Sequence, residues 1–393
     1  MNKEDKKYFS FFGYSYFGPI IYEFSLWLKN ELERQKITKV FFLSRDGLIL
    51  KNAFDIINDS NIKTEYFYAS RRALIVPSLY KEKNPNVIFD KIKFDNKITL
   101  KSFIKKIGLN YKDVMEYIKR YNFNIDNNYD LKYLKENNEF QNFLQDIFPL
   151  VIKNAKEEYG CLKEYVKEKD FNGKIAIVDI GWYGTMQLAL NSLFPDLNIY
   201  GYYLGLNPKS KIYNEKYYKG FLFDKNNNSE YYDIFYNFLL SFEFLTLARH
   251  GSLEKYDKSK THTKFYEYEY KNVKEEKISE IIQESCLKYV SNSYKEKIKN
   301  NKEEIIDKFL KVFLYPSIKD ANYFGNIRFV DNEMKYIAKP KSFWYYVFHI
   351  KIFINDFVNS AWKVGFMKKL FKIPFPYYKI ITKSRKKWEE KYE

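Results

Sequence analysis

Two aspartates stand where apolar runs give way to glycine-bearing turns, and both are placed for metal and phosphate chemistry. The first lies in K-V-F-F-L-S-R-D-G-L-I-L, residues 39–50. The apolar run 40–43 has the character of a buried strand, and Ser44-Arg45-Asp46-Gly47 follows it. In open α/β sheets ligands sit beyond the carboxyl ends of the strands. A carboxylate there is suited to Mg²⁺, which keeps several waters and bridges to substrate phosphate. The competing role for Asp46 is a helix cap. Ser44, Arg45 and Gly47 are candidate substrate contacts beside it. The second aspartate, Asp179, ends the apolar run 175–178, and Gly181-Trp182-Tyr183-Gly184-Thr185 follows. Its glycines let the backbone approach a ligand, and the N–H groups of a helix opening near Thr185 would cradle a phosphate. The alternative is a purely structural turn. Asp46 and Asp179 are the candidate metal ligands.

Two further groups carry usable chemistry. Ser70-Arg71-Arg72 follows a second apolar stretch, 65–69. Arginine's planar fork binds phosphate bidentately. In an extended chain the two arginines point apart, so one is expected to meet substrate while the other makes a structural ion pair, unless both are structural. In E-F-L-T-L-A-R-H-G-S-L, Glu243 and His250 are seven residues apart, two helical turns. Glu243 is a candidate general base and His250 a candidate proton carrier. A structural histidine is the competing reading.

The elements that must position these residues alternate. Strands are expected at 39–43, 65–69, 175–178 and 199–205, with helices after the first and third. Such alternation predicts a parallel sheet with crossover helices, an α/β Rossmann-like fold. Residues of about 80–170 read as a mainly helical insertion, suited to a cap over the site. A helix is expected to start at Gly18-Pro19. The α/β domain is expected over 1–257, followed by a helical, basic and aromatic region over 258–393. Residues 343–374 interleave aromatic, aliphatic and lysine side chains. They fit either an amphipathic helix at an anionic membrane surface or a helix packed on the core.

The whole chain of 393 residues carries a formal charge of +17 and is 20% aromatic. The charge favours anionic partners, although most lysines suit a solvated surface. No nucleic-acid motif is present, and nucleic acid is not an expected partner. Cys161 and Cys286 form no spacing motif, which fits a reducing, cytoplasmic setting. His250, His262 and His349 are too scattered for a histidine metal cluster. No signal peptide or transmembrane run is expected.

The S-R-D-G stretch resembles the first motif of haloacid-dehalogenase-like (HAD-like) hydrolases, which reads D-x-D-G-T. Aligned on Asp46-Gly47, the second aspartate is present and Ser44 replaces the first, the nucleophile. Together, Gly13-Tyr14 with Gly18-Pro19, F-L-S-R-D-G, A-S-R-R-A-L, V-D-I-G-W-Y-G-T and E-x-L-x-x-A-x-H-G-S resemble predicted HAD-like proteins of bacterial surface-polysaccharide gene clusters, over roughly residues 8–257. The resemblance implies a phosphate-binding role for Ser70 and a HAD-like sheet. The loop after Asp179 is also loosely similar to the donor loop of phosphoribosyltransferases. A HAD phosphatase forms an aspartyl-phosphate on the first aspartate, and Ser44 cannot substitute for it. The expectation is therefore a Mg²⁺-dependent, glycosyltransferase-like enzyme of capsule or O-antigen assembly. It would use a phosphorylated sugar donor, such as phosphoribosyl diphosphate, a glycan acceptor, and glycosyltransferase partners, with peripheral contact to the inner face of the cytoplasmic membrane. A divergent phosphohydrolase and a non-catalytic scaffold are the alternatives.

Overall fold

Five strands pair in parallel in the computed structural model, which describes residues 1–236, 238–259, 261–331 and 333–392. They are β1 (Lys39–Leu43), β2 (Lys63–Phe67), β3 (Lys174–Trp182), β4 (Asn198–Leu206) and β5 (Tyr218–Phe223), in the order β2-β1-β3-β4-β5. This is a doubly wound α/β order, and its topological switch falls between β1 and β3. The stretch expected at 65–69 pairs two residues earlier, because its register is set by Lys39 opposite Lys63 and Leu43 opposite Phe67. Tyr68 and Ala69 lie beyond the last pair.

The strands are apolar on both faces, as a covered parallel sheet requires. Val40, Phe42, Ala176 and Val178 face one core. Their alternates Phe41, Leu43, Ile175 and Ile177 face a second. The first core is closed by α1 (Lys3–Phe12), α2 (Gly18–Arg34) and α3 (Gly47–Ile57). The second is closed by α4 (Arg71–Ser78), α5 (Asn138–Glu168) and α6 (Thr185–Leu193). In α3, Ile49, Leu50, Ala53, Phe54 and Ile57 recur at helical spacing and are fully buried. Burying each large side chain contributes about 1.5–3 kcal/mol.

Residues of the insertion form their own small core from Leu79 to Ala155. The long helix α5 leaves that core and enters the sheet's second core through Leu162, Tyr165 and Val166. The insertion is therefore anchored by one continuous helix. A short antiparallel pair, Lys97–Thr99 with Asn128–Asp130, interrupts the expected helices.

Among the described residues, those after 257 add to the first core rather than forming one of their own. Helix α7 (Leu239–Leu245) is followed by α8 (Lys274–Lys295), whose Ile278, Ile282, Cys286 and Val290 share the first core with α1 to α3. Phe309, Phe313 and Trp362 join the same core. The region is not wholly helical: Arg328–Asp331 and Glu333–Tyr336 form a hairpin.

The helix expected to open at Gly18-Pro19 is continuous with what precedes it. A π-helical turn, Gly13–Phe17, joins α1 to α2. Pro19 is accommodated at the start of α2. Gly13 and Gly18 are there for close approach. A Cβ on Gly13 would lie 2.3 Å from the Ile282 carbonyl oxygen, and one on Gly18 would lie 2.6 Å from Tyr289 Cβ. The Gly13–Pro19 motif thus seats α8 rather than carrying chemistry. Gly13→Ala is expected to destabilise the fold by about 1–3 kcal/mol through overpacking. Gly160→Ala, in the interior of α5 with nothing within 4 Å, is expected to stabilise by about 0.5–1 kcal/mol. Thermal melts of the two variants should shift in opposite directions.

Candidate functional site at the sheet switch point

The parallel pairing of β1 with β3, Phe42 opposite Val178, brings the ends of both strands to one edge of the sheet. A cavity of about 320 Å³ opens there. Asp46, Arg71, Asp179, Gly181, Thr185 and Glu243 line it, so groups from the S-R-D-G, S-R-R, D-I-G-W-Y-G-T and E-x-L-x-x-A-x-H-G-S motifs meet in one place.

Asp46 stands at the start of α3 but makes no capping hydrogen bond. Its carboxylate instead accepts from Thr246 Oγ1 at 2.7 Å. Asp179 is 8% exposed. Burial holds the Asp46 carboxyl above its usual range, against the Thr246 hydrogen bond and the charges of Arg45 and Arg71. Burial and then the neighbouring Asp46 push Asp179 up to about 8, with Glu243 adding to the rise and Arg71 opposing it. Two desolvated carboxylates that repel each other favour a shared counter-charge. Among the described residues no group of three or more His, Cys, Asp and Glu side chains could hold a metal ion. Mg²⁺ does not need one, since it is bound by one or two carboxylates with water and phosphate oxygens completing its shell. Asp46 and Asp179 fit that use.

Several expected contacts have other occupations. The Ser44 hydroxyl donates to the Ala69 carbonyl at 2.9 Å and accepts from the Ala69 N–H at 3.0 Å. It ties the end of β1 to the end of β2 and is spent as a strand clamp, not on phosphate. The Ser70 hydroxyl caps α4 by accepting from Ala73 N and donates to the Leu253 carbonyl at 2.7 Å. It lines the cavity with its hydrogen-bonding capacity largely engaged. Gly47 lies outside the cavity lining. A Cβ on it would come within 2.9 Å of the Phe42 backbone, so glycine here seats α3 on β1.

The arginines divide for a reason the extended-chain reading missed, because both belong to the first turn of α4. Arg72 forks onto buried Glu158 at 2.6 and 2.8 Å and donates to the Glu254 carbonyl. It holds α4 to α5 and is structural. Arg71 lines the cavity and, among the described residues, has no hydrogen bond or ion pair. Arg45 also reaches the cavity, where its guanidinium pairs with Glu269 at 2.8 Å. Arg249 lies outside the cavity lining and pairs with Glu280.

β3 continues past Asp179 to Trp182, still paired to β4, with positive φ at Gly181 (104°) and Trp182 (65°) and at Gly184 (59°) before α6. A Cβ on Gly181 would lie 2.4 Å from the Gly205 carbonyl. This turn aims the start of α6 at the cavity through Thr185 and Met186. Trp182 Nε1 donates to Glu243 Oε1 at 3.2 Å, fixing the third carboxylate. Tyr183 is 44% exposed and lies outside the cavity lining. Gly184 serves as the turn before α6.

His250 does not share a helical face with Glu243, since α7 ends at Leu245. It sits among Tyr66, Tyr68 and Phe265. Tyr66 Oη is 2.7 Å from Nε2 and the Gly251 carbonyl is 2.8 Å from Nδ1. Burial lowers its pKa below the usual histidine value. A neutral ring with both nitrogens engaged, outside the cavity lining, is a packing element and not the expected proton carrier.

The insertion does not cap this cavity. Among the described residues, none from 80–170 lines it, and the far wall is made by Leu247, Ser252 and Phe329. Thr246 and Ser252 lie within a motif the sequence marks. Phe329 comes from the hairpin of the C-terminal region and carried no signal. No protein-family model matches the chain, and no curated protein matches it significantly.

The Asp179 shift has a measurable consequence. An unfolded aspartate titrates near about 3.9. Between that value and about 8 the folded chain keeps a proton that the unfolded chain has released, so stability falls as pH rises through this window. Metal-free protein should melt at a lower temperature at pH of about 8 than at about 5. Added Mg²⁺ should raise the melting temperature more at the higher pH, because ligands bind deprotonated. Asp179→Asn should flatten both responses; unchanged responses in that variant would remove Asp179 as their source.

Proposed function

We propose that this chain is a Mg²⁺-dependent glycosyltransferase-like enzyme that takes a glycosyl group from a phosphorylated sugar donor and passes it to a hydroxyl of a glycan acceptor. The observation that carries this reading is the meeting of Asp46, Asp179, Arg71, Glu243 and the start of α6 around one cavity. A phosphoribosyl diphosphate donor accords with the strand–Asp–glycine-turn–helix arrangement that ends in Thr185. The surface-polysaccharide setting, glycosyltransferase partners and a place at the cytoplasmic face of the membrane rest on the motif resemblance to HAD-like proteins of such gene clusters.

The residues divide the work. Arg71 binds donor phosphate oxygens, and the amides at the start of α6 add hydrogen bonds to them. Asp46 and Asp179 would hold Mg²⁺, which stabilises the negative charge that develops on the departing phosphate. Glu243, oriented by Trp182, accepts the proton from the acceptor hydroxyl as the sugar carbon exchanges its phosphate oxygen for the acceptor oxygen. Leu247 and Phe329 narrow the cavity on the acceptor side and limit water. The Ser44 clamp disfavours the aspartyl-phosphate route of a HAD-like phosphohydrolase, because the position of its nucleophile is occupied by a structural hydroxyl.

The test is a donor screen with purified protein and Mg²⁺, with and without glycan acceptors, reading released diphosphate or nucleotide by mass spectrometry. Acceptor-dependent release is expected. Glu243→Gln should lower kcat by about 10²–10⁴-fold with donor binding retained. Arg71→Ala should weaken donor binding about tenfold or more. Phosphate release without an acceptor would instead establish the hydrolase, and silence across the panel from folded protein would leave the scaffold.

A further inference from the structure

The C-terminal segment folds back on the molecule with its apolar side outward. Three short helices, Phe343–Phe348, Ile350–Val358 and Lys363–Phe371, follow one another. In the second, Phe353 and Phe357 turn inward against Phe366. Ile350, Ile354 and Val358, spaced by four, are 61, 54 and 59% exposed. In the first, Trp344 and Phe348, also four apart, are 71 and 79% exposed. Ring contacts of Phe343 with Trp344 and with Phe371 join the exposed side of the first helix to the end of the third, and exposed Ile373 and Phe375 follow Phe371 in the chain. The inward faces of these helices already satisfy the core, so packing does not account for the outward ones. Contiguous apolar surface of this kind marks an interaction site.

Charge identifies the partner. Asp356 is the only acidic residue from Ile337 to Lys387, and its carboxylate accepts from Tyr346 Oη. Lys341, Lys351, Lys372 and Lys379 are exposed in and beside the apolar surface. Aromatic and aliphatic side chains rimmed by lysines match a bilayer interface with anionic headgroups. A second copy of this chain would bring two such cationic rims together. Among the described residues no helix is long and apolar enough to cross a membrane, so the geometry fits lying on the surface.

We propose that residues 343–380 form a membrane-docking face that inserts Trp344, Phe348, Ile350 and Ile354 into the interface of an anionic bilayer while the flanking lysines engage its headgroups. This assignment is independent of the transferase reading, since its readout requires no turnover.

The experiment is flotation of the full-length protein with vesicles of phosphatidylglycerol and phosphatidylcholine, or of phosphatidylcholine alone. Binding is expected to the anionic vesicles and to weaken with salt. Trp344→Ser with Phe348→Ser and Ile354→Ser, all exposed positions, should reduce partitioning at least about tenfold with an unchanged circular dichroism spectrum. Lys351→Gln with Lys372→Gln and Lys379→Gln should reduce it about a hundredfold at low salt. Equal flotation of the serine variant, or no flotation together with a dimer in sedimentation that the serine variant abolishes, would overturn the proposal. The latter outcome would assign the face to self-association.

Discussion

Two carboxylates lining one cavity, Asp179 buried and Asp46 partly so, are the constraint around which the rest of this molecule is arranged. Burial raises both carboxyls above their usual range, and burial together with Asp46 pushes Asp179 up to about 8. The fold does not avoid this cost. It creates it, by pairing β1 directly with β3 and letting both chains leave the sheet at the same edge. Thr246 donates to Asp46, while Arg71 lines the same cavity, its charge favouring both carboxylates, and makes no hydrogen bond or ion pair among the described residues. That combination is poor as a stability device, because replacing both carboxylates by apolar groups would serve a core better. It is well suited to a site whose missing charge arrives with a ligand.

The surrounding structure holds this edge rigid. Ser44 clamps β1 to β2, Ser70 fastens the start of α4 to Leu253, and Arg72 with Glu158 locks α4 to α5. Three polar residues adjacent to the site therefore position the backbone from which Asp46 and Arg71 project. Trp182 does the same for Glu243. The N-terminal helices and α8 lie behind the sheet, packed closely enough that Gly13 has no room for a methyl group.

Four of the five strands and the two aspartates were legible because both signals are local, a short apolar run and a carboxylate near glycine, whereas β5 was not among the expected strands. The sheet's parallel character was legible for the same reason. The roles of the neighbours were not, since each depends on a partner distant in sequence. Ser44 is a clamp only because the register with β2 places Ala69 beside it. Arg72 is structural only because α5 returns with Glu158. His250 is enclosed by Tyr66, Tyr68 and Phe265, which no helical spacing from Glu243 predicts. The C-terminal aromatics showed their composition but not their direction, because inward and outward apolar stripes have the same period; Phe353 and Ile354 are neighbours in sequence and face opposite environments.

Serine at position 44 also bears on the charge balance. An aspartate there would add a fourth carboxylate to a cavity already lined by Asp46, Asp179 and Glu243, and would give up both hydrogen bonds to Ala69. Such a site would require a tightly held cation even before substrate arrived. With serine, the cavity's three carboxylates, Asp46, Asp179 and Glu243, face Arg45 and Arg71, and the strand ends stay joined. Serine at this position therefore keeps the electrostatic burden on the folded chain lower and stiffens the edge of the sheet.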